Sequence, residues 1–141
     1  MSELEILLLA SDQYNSNGLF TIAVIIGMFI SFRAARFASQ NNILIKIFVS
    51  LFSLVIAWFS IVIGSLRDTI ELGMAIRLAD AQAGGAELTA QALAQISNAG
   101  AAAGDVAVQN YFSDVGTLAF TAIFVIIALA VVWMPNTNAS E

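Results

Sequence analysis

The ten carboxylates are the strongest chemical candidates in this chain of 141 residues, which contains neither cysteine nor histidine. Asp68 and Glu71 lie three residues apart, a spacing that places both on one face of a helix. If the helices of this region pair, Glu71 and Asp80 could meet Asp105 or Asp114, and such oxygen ligands could bind a hard cation. No calcium-loop spacing accompanies them, however. A solvated acidic face is the simpler interpretation, and we predict no metal site.

Other classes of site lack their usual residues. Without histidine and cysteine the chain cannot build the common zinc sites, thiol chemistry or a histidine-held haem. No glycine-rich phosphate loop is present. The net charge is −5, without a basic run, which argues against nucleic-acid binding. We therefore predict no catalytic residue and no cofactor.

The elements that would carry these residues are dominated by apolar helices. The chain is 60% hydrophobic and only 11% charged, with a mean hydropathy of +0.89. Roughly twenty helical residues cross a bilayer, and three uncharged stretches reach that length. The sequence predicts an all-α membrane protein with a single membrane domain, 1–141. The predicted transmembrane helices are 18–37, 43–66 and 115–134.

The remaining segments are assigned from local signals. Ser2 and Glu5 have the spacing of a capping box, which predicts a short interfacial helix over 3–11. A polar break from Asp12 to Gly18 should separate it from the first span. The second helix should continue beyond the membrane until Gly84-Gly85. The segment 67–114 is then an outer helical region, helical again from Glu87 to Ser97, and 135–141 is a polar tail.

Small residues recur at helical spacing in the first two spans, where they would let helix backbones approach closely. We predict a helix-packing interface made of Ala23, Gly27, Ser31, Ala35, Ser50, Ser53, Ala57, Ser60 and Gly64. The simplest arrangement joins the two stripes in an antiparallel hairpin. The third span has only Thr117, Thr121 and Ala128 among bulky neighbours. It should pack more loosely, or against a partner.

Basic residues set the predicted orientation. Arg33, Arg36 and Lys46 flank the short turn between the first two spans, and positive charge favours the cytoplasmic side. The N-terminus and the segment 67–114 are then outside, and the C-terminus is inside. The compactness of the chain favours a prokaryotic cytoplasmic membrane.

Two functions compete at this stage. The first is a non-catalytic accessory subunit that packs its small-residue faces and its alanine-rich outer segment against other integral-membrane subunits. That outer segment could instead fold back on its own neighbours as a cap. The second is a homo-oligomeric pore in which Ser50, Ser53 and Ser60 face a lumen. The three-span topology, with the N-terminus outside and the C-terminus inside, resembles one class of phage holins, although the long outer segment departs from their plan. An enzyme is a third, weaker hypothesis.

Overall fold

The computed structural model describes residues 1–112 and 114–134, and within these residues it is helical without any strand. The helices in chain order are α1 (Glu3–Ser39), α2 (Ile43–Ala83), α3 (Ala90–Ala99) and α4 (Val115–Trp133). α1, α2 and α4 are long and apolar enough to cross a membrane. The predicted fold class, an all-α membrane protein with three spans, is confirmed. The predicted tail, 135–141, lies outside the described residues.

α1 differs from the prediction because it is one continuous helix from Glu3 to Ser39, not a short helix followed by a span. Its start confirms the predicted capping box: the Ser2 backbone N–H donates to the Glu5 carboxylate at 2.7 Å, and the Glu5 backbone N–H donates to the Ser2 hydroxyl at 3.4 Å. The expected break near Gly18 is absent. A helix-interior glycine costs only about 1 kcal/mol, and tertiary contacts of the first turns offset such a cost.

The second long helix ends where its glycines predict. α2 runs to Ala83, and Gly85 follows with φ of 87°, the left-handed region that glycine adopts without strain. The extension of this helix beyond Leu66 is thereby confirmed as helix. α3 begins three residues later than predicted, because Thr89 is its N-cap and accepts a hydrogen bond from the Ala92 backbone N–H, and it ends two residues later, at Ala99.

The chain forms two compact units, each with its own core. Unit 1 consists of Met1–Leu19 and the described part of Gly64–Ser113; unit 2 consists of Phe20–Ile63 and the described part of Asp114–Glu141. In unit 1, Ile6, Leu78 and Ala92 are buried together. Met74, Ala81, Leu88 and Ile96 pack around them. Unit 1 thus brings the start of α1, the end of α2 and α3 to one small apolar core.

Unit 2 has a larger apolar core that includes all three of its helices. The buried cluster consists of Val24, Met28, Ala57, Ile63, Phe124 and Ala128. A second cluster contains Ala35, Ala38 and Val132. α1 and α2 approach so closely at Gly27 that an added Cβ would lie 2.8 Å from the Ile56 Cδ1 atom. Glycine thus serves close helix packing here rather than backbone freedom, and an added Cβ would require the Ile56 side chain to shift.

Candidate functional site

The nine residues predicted to form a packing interface do not share one environment. Six of them are buried: Gly27, Ser31, Ala35, Ser53, Ala57 and Ser60. Ser50 and Gly64 are half-buried, and Ala23 is exposed. Gly27 faces Ile56, which belongs to the bulky surface of α2. This contact differs from the predicted pairing of the two small stripes with each other.

α4 explains the difference, because it packs within unit 2 rather than loosely. Thr121, Phe124, Ala128 and Val132 are buried along one side of this helix. The Phe124 ring meets Phe32 of α1 edge-to-face, with centroids 5.3 Å apart and an interplanar angle of 76°. The expectation of a loosely held third span is therefore wrong. Its buried stripe mixes one aromatic ring with small residues, so counting small residues alone could not reveal it.

Two serines of α2 bond to α4. The Thr121 hydroxyl donates to the Ser60 Oγ atom at 3.0 Å, and both side chains are buried. The Trp133 indole Nε1–H donates to the Ser50 Oγ atom, also at 3.0 Å. These bonds join α2 and α4 at two levels of unit 2. The Ser50 and Ser60 hydroxyls of the α2 stripe thus serve helix association inside this chain.

The two other buried serines of the predicted interface bond to their own helices. The Ser31 hydroxyl donates to the Gly27 carbonyl, and the Ser53 hydroxyl donates to the Val49 carbonyl, each at 2.9 Å. Such back-bonding satisfies a hydroxyl in an apolar environment without any partner helix. Ser31 and Ser53 therefore need no water-filled path beside them.

An open apolar groove lies between α2 and α4 in unit 2. It has a volume of about 510 Å³ and is lined by no charged side chain. Ala57, Thr121 and Ala122 are its small lining residues. The larger ones are Leu54, Trp58, Ile61, Leu118, Val125 and Ile126. A groove of this size and chemistry can receive the side chains of another transmembrane helix.

Unit 1 contains a polar cleft of about 360 Å³. It is lined by Tyr14, Glu71, Met74, Ala75, Gln95, Asn98 and Ala99. Tyr14, which precedes the predicted span, has a hydrogen bond with Glu71, and Glu71 also pairs with Arg67 at 3.4 Å. Burial raises the pKa of the Tyr14 hydroxyl, and the Glu71 charge adds to the effect.

The cleft offers hydrogen-bonding groups but no acid–base pair. Glu71 is already engaged by Tyr14 and Arg67. The Gln95 Oε1 atom is buried and has no hydrogen-bond partner among the described residues. A buried acceptor in this state is costly and can accept a donor from a bound molecule or water.

Other carboxylates of unit 1 act as structural hydrogen-bond acceptors. Glu3 accepts from the Thr89 backbone N–H at 2.8 Å and from the Thr89 hydroxyl at 2.7 Å, which ties the start of α1 to the cap of α3. The Asp80 carboxylate accepts from the Gly104 backbone N–H at 2.8 Å. These carboxylates stabilise helix ends and loops. Among residues 1–112 and 114–134, no group of three or more potential ligands could hold a metal ion.

Asp114 has a structural role that our sequence interpretation missed. Its Oδ1 atom accepts from the backbone N–H groups of Gly116 and Thr117, at 2.9 and 3.1 Å, and so caps α4. The signal was present, because an aspartate directly before an apolar run is a strong N-cap candidate. The carboxylate thus acts as a helix cap and not as the cation ligand that the sequence also allowed.

The geometry offers a helix-packing groove in unit 2 and a polar cleft in unit 1. Comparisons of the chain with protein-family models, with curated proteins and with solved structures found no match.

Proposed function

We propose that this chain is a non-catalytic accessory subunit of a larger integral-membrane complex. Its partner contact is the groove between α2 and α4, where a transmembrane helix of another subunit would pack against Ala57, Thr121 and Ala122. Small residues at such a surface allow the close backbone approach on which helix association in lipid depends. The uncharged groove, next to a core that is already complete, is the observation that carries this proposal.

We infer the orientation from the basic residues alone. Arg33, Arg36 and Lys46 flank the α1–α2 turn, so this turn would face the cytoplasm of a prokaryotic cell and the N-terminus would lie outside. Reporter fusions at Gln40 and Gly85 test this inference. An external signal at Gln40 would contradict it.

The hydroxyl contacts support the accessory subunit over the homo-oligomeric pore. The pore hypothesis requires Ser50, Ser53 and Ser60 to face a lumen. Ser50 and Ser60 accept hydrogen bonds from α4, and Ser53 donates to its own helix. A lumen along this stripe would require α4 to leave it, with the loss of the Phe124 contacts.

The groove can be tested by filling it. Ala122 lines the groove and is exposed, so Ala122→Phe should block a partner helix without disturbing the core of unit 2. Ala119 is exposed on the same helix but does not line the groove, so Ala119→Phe is the matched control. On native gels of mildly solubilised membranes, the chain should migrate in a high-mass complex, which Ala122→Phe dissociates and Ala119→Phe preserves.

The chain has no natural cysteine, which permits a second measurement. Ala122→Cys with a short photo-reactive label should cross-link to a different membrane protein, and Ala119→Cys should not. An adduct with twice the mass of the chain would instead support a homo-oligomer. If both positions react only with lipid, the accessory-subunit proposal is wrong.

A further inference from the structure

The positive charge of unit 2 is concentrated at the α1–α2 turn. Arg33 and Arg36 lie near the end of α1, and Lys46 lies near the start of α2. Among the described residues of unit 2 the only carboxylate is Asp114, at the N-terminus of α4, and it is engaged as a cap. The three cations therefore have no carboxylate counter-ion at the turn within the part of the chain that the structure describes.

Helix register brings two of these cations to the same depth. Arg36 lies three residues before the end of α1, and Lys46 lies three residues after the start of α2. At 1.5 Å per residue, each is about 4.5 Å from its end of the helix. Arg33 lies one turn further along the face that carries Arg36. All three cations therefore lie within about 9 Å of the turn along their helix axes.

The position of Lys46 is defined by α4. Its Nζ atom lies 5.9 Å from the centroid of the Trp133 ring. The Trp133 indole in turn donates to Ser50, which orients the ring. A tryptophan at the end of a span lies at the level of the lipid headgroups. The Lys46 ammonium is thereby positioned at headgroup depth.

Three other polar side chains of the turn form hydrogen bonds with the backbone. The Ser39 hydroxyl donates to the Arg36 carbonyl, and the Asn41 amide donates to the Phe37 carbonyl. Asn42 accepts from the Ile45 backbone N–H and caps α2. The three cations are the charged groups that this turn offers to a ligand.

The surface beside the cations is apolar. Its exposed residues are Phe37, Ile43, Leu44, Ile47 and Phe48. A free phosphate ion would leave this surface uncovered, whereas a phospholipid would lay its acyl chains along it. Charge complementarity and the adjoining apolar surface therefore both favour an anionic phospholipid.

We propose that the α1–α2 turn is a binding site for an anionic phospholipid, whose phosphate is held by Arg36 and Lys46 with Arg33 in support. A basic residue near an anionic headgroup contributes about 1 kcal/mol, which corresponds to roughly fivefold in affinity. The site does not depend on the proposed partner subunit.

The test measures binding of phosphatidylglycerol and of phosphatidylcholine to the full chain in mild non-ionic detergent by native mass spectrometry. The wild-type chain should prefer phosphatidylglycerol. The double variant Arg36→Gln/Lys46→Gln should lose roughly twenty-five-fold of its phosphatidylglycerol affinity, which is fivefold per residue, with little change for phosphatidylcholine. The variant Arg36→Lys/Lys46→Arg keeps both charges and should retain the preference.

The matched control is Arg67→Gln/Arg77→Gln, which removes the same number of charges from unit 1. It should leave the lipid preference intact. Equal losses in the two double variants would show that only overall charge matters and would overturn the site, as would a wild-type chain without lipid preference. Displacement of phosphatidylglycerol by millimolar inorganic phosphate would identify an anion site and also contradict the proposal. Helical circular dichroism verifies that each variant is folded.

Discussion

The two units are held together by different contacts. Unit 1 joins its segments partly through polar groups at exposed positions, such as the Glu3 carboxylate and the Thr89 cap. Unit 2 joins its helices through buried aromatic, small and hydroxyl side chains. The surfaces of the two units also differ in polarity. Unit 2 exposes large apolar residues along its spans, including Phe29 and Phe59, and a protein in water rarely does this over a long surface. Unit 1 contains eight carboxylates and two arginines among its described residues.

This contrast is the one expected of a chain whose unit 2 lies in lipid and whose unit 1 lies in water. In lipid, apolar surface gains nothing from burial, so packing and internal hydrogen bonds must hold unit 2 together. In water, charged hydrogen bonds at helix ends carry little desolvation cost because their partners remain hydrated. A small apolar core then drives the association of the helices. The following substitutions test this contrast in order of decreasing effect.

The largest effect is expected for Phe124→Ala. Phe124 is buried in unit 2 and meets Phe32, so its removal leaves a cavity and should lower the free energy of unfolding by about 3–5 kcal/mol. The measurement is reversible unfolding in mixed micelles of a mild detergent and a denaturing one. Phe120→Ala, on the exposed side of the same helix, should change stability far less. Equal losses of stability in the two variants would mean that α4 does not pack as described.

The next effect concerns the core of unit 1. Ile6 is 0% exposed beside Leu78, so Ile6→Ala should cost about 3 kcal/mol. Hydrogen exchange with mass spectrometry should show faster exchange in α3 and the first turns of α1, with no change in α4. Leu8→Ala removes an exposed side chain of the same size from the same helix and serves as the control. Faster exchange in α4 would contradict the division into two units.

A smaller effect is expected for Glu3→Gln. The amide keeps one acceptor for Thr89 but loses the charge, and we expect α3 to be destabilised by about 1 kcal/mol. Faster exchange of the Ala90–Ala99 amides would report the loss. Glu87→Gln makes the same change of charge at an exposed position and should have little effect. In high salt the difference between the two variants should shrink because screening weakens the charged contact.

The smallest effect concerns the hydroxyl pair of unit 2. A double-mutant cycle of Thr121→Val and Ser60→Ala should give a coupling energy of about 0.6 kcal/mol, which is typical of hydrogen bonds between membrane helices. Unfolding in mixed micelles is again the measurement. A coupling near zero would mean that the Thr121–Ser60 hydrogen bond does not help to join α2 to α4.

Sequence patterns predicted the elements whose causes are local. The apolar run after Asp114 gave α4, and Gly84-Gly85 gave the end of α2. The continuity of α1 was not predictable in the same way. The polar residues from Asp12 to Gly18 disfavour a helix only weakly. Contacts between residues distant in sequence, such as Ile6 with Leu78, favour the continuous helix.

Sequence spacing was also insufficient to predict the contacts of the candidate packing interface. The spacing identified Ser53, Ala57 and Ser60 as one stripe, and the structure buries all three. Spacing does not specify which neighbour buries them, because a small side chain fits against any helix. A hydroxyl can also bond to its own backbone, as Ser53 does, or to another helix, as Ser60 does. The role of α4 therefore required the structure.

The length of α4 has a consequence for the membrane that contains it. α4 has 19 residues, which at 1.5 Å each extend about 28 Å, close to the thickness of the hydrocarbon core. A polar cap, Asp114, fixes its first turn, and Trp133 is its last residue. A thicker bilayer would exceed this span and would have to thin locally around the helix. The chain should therefore favour thin membranes over thick, sterol-rich ones.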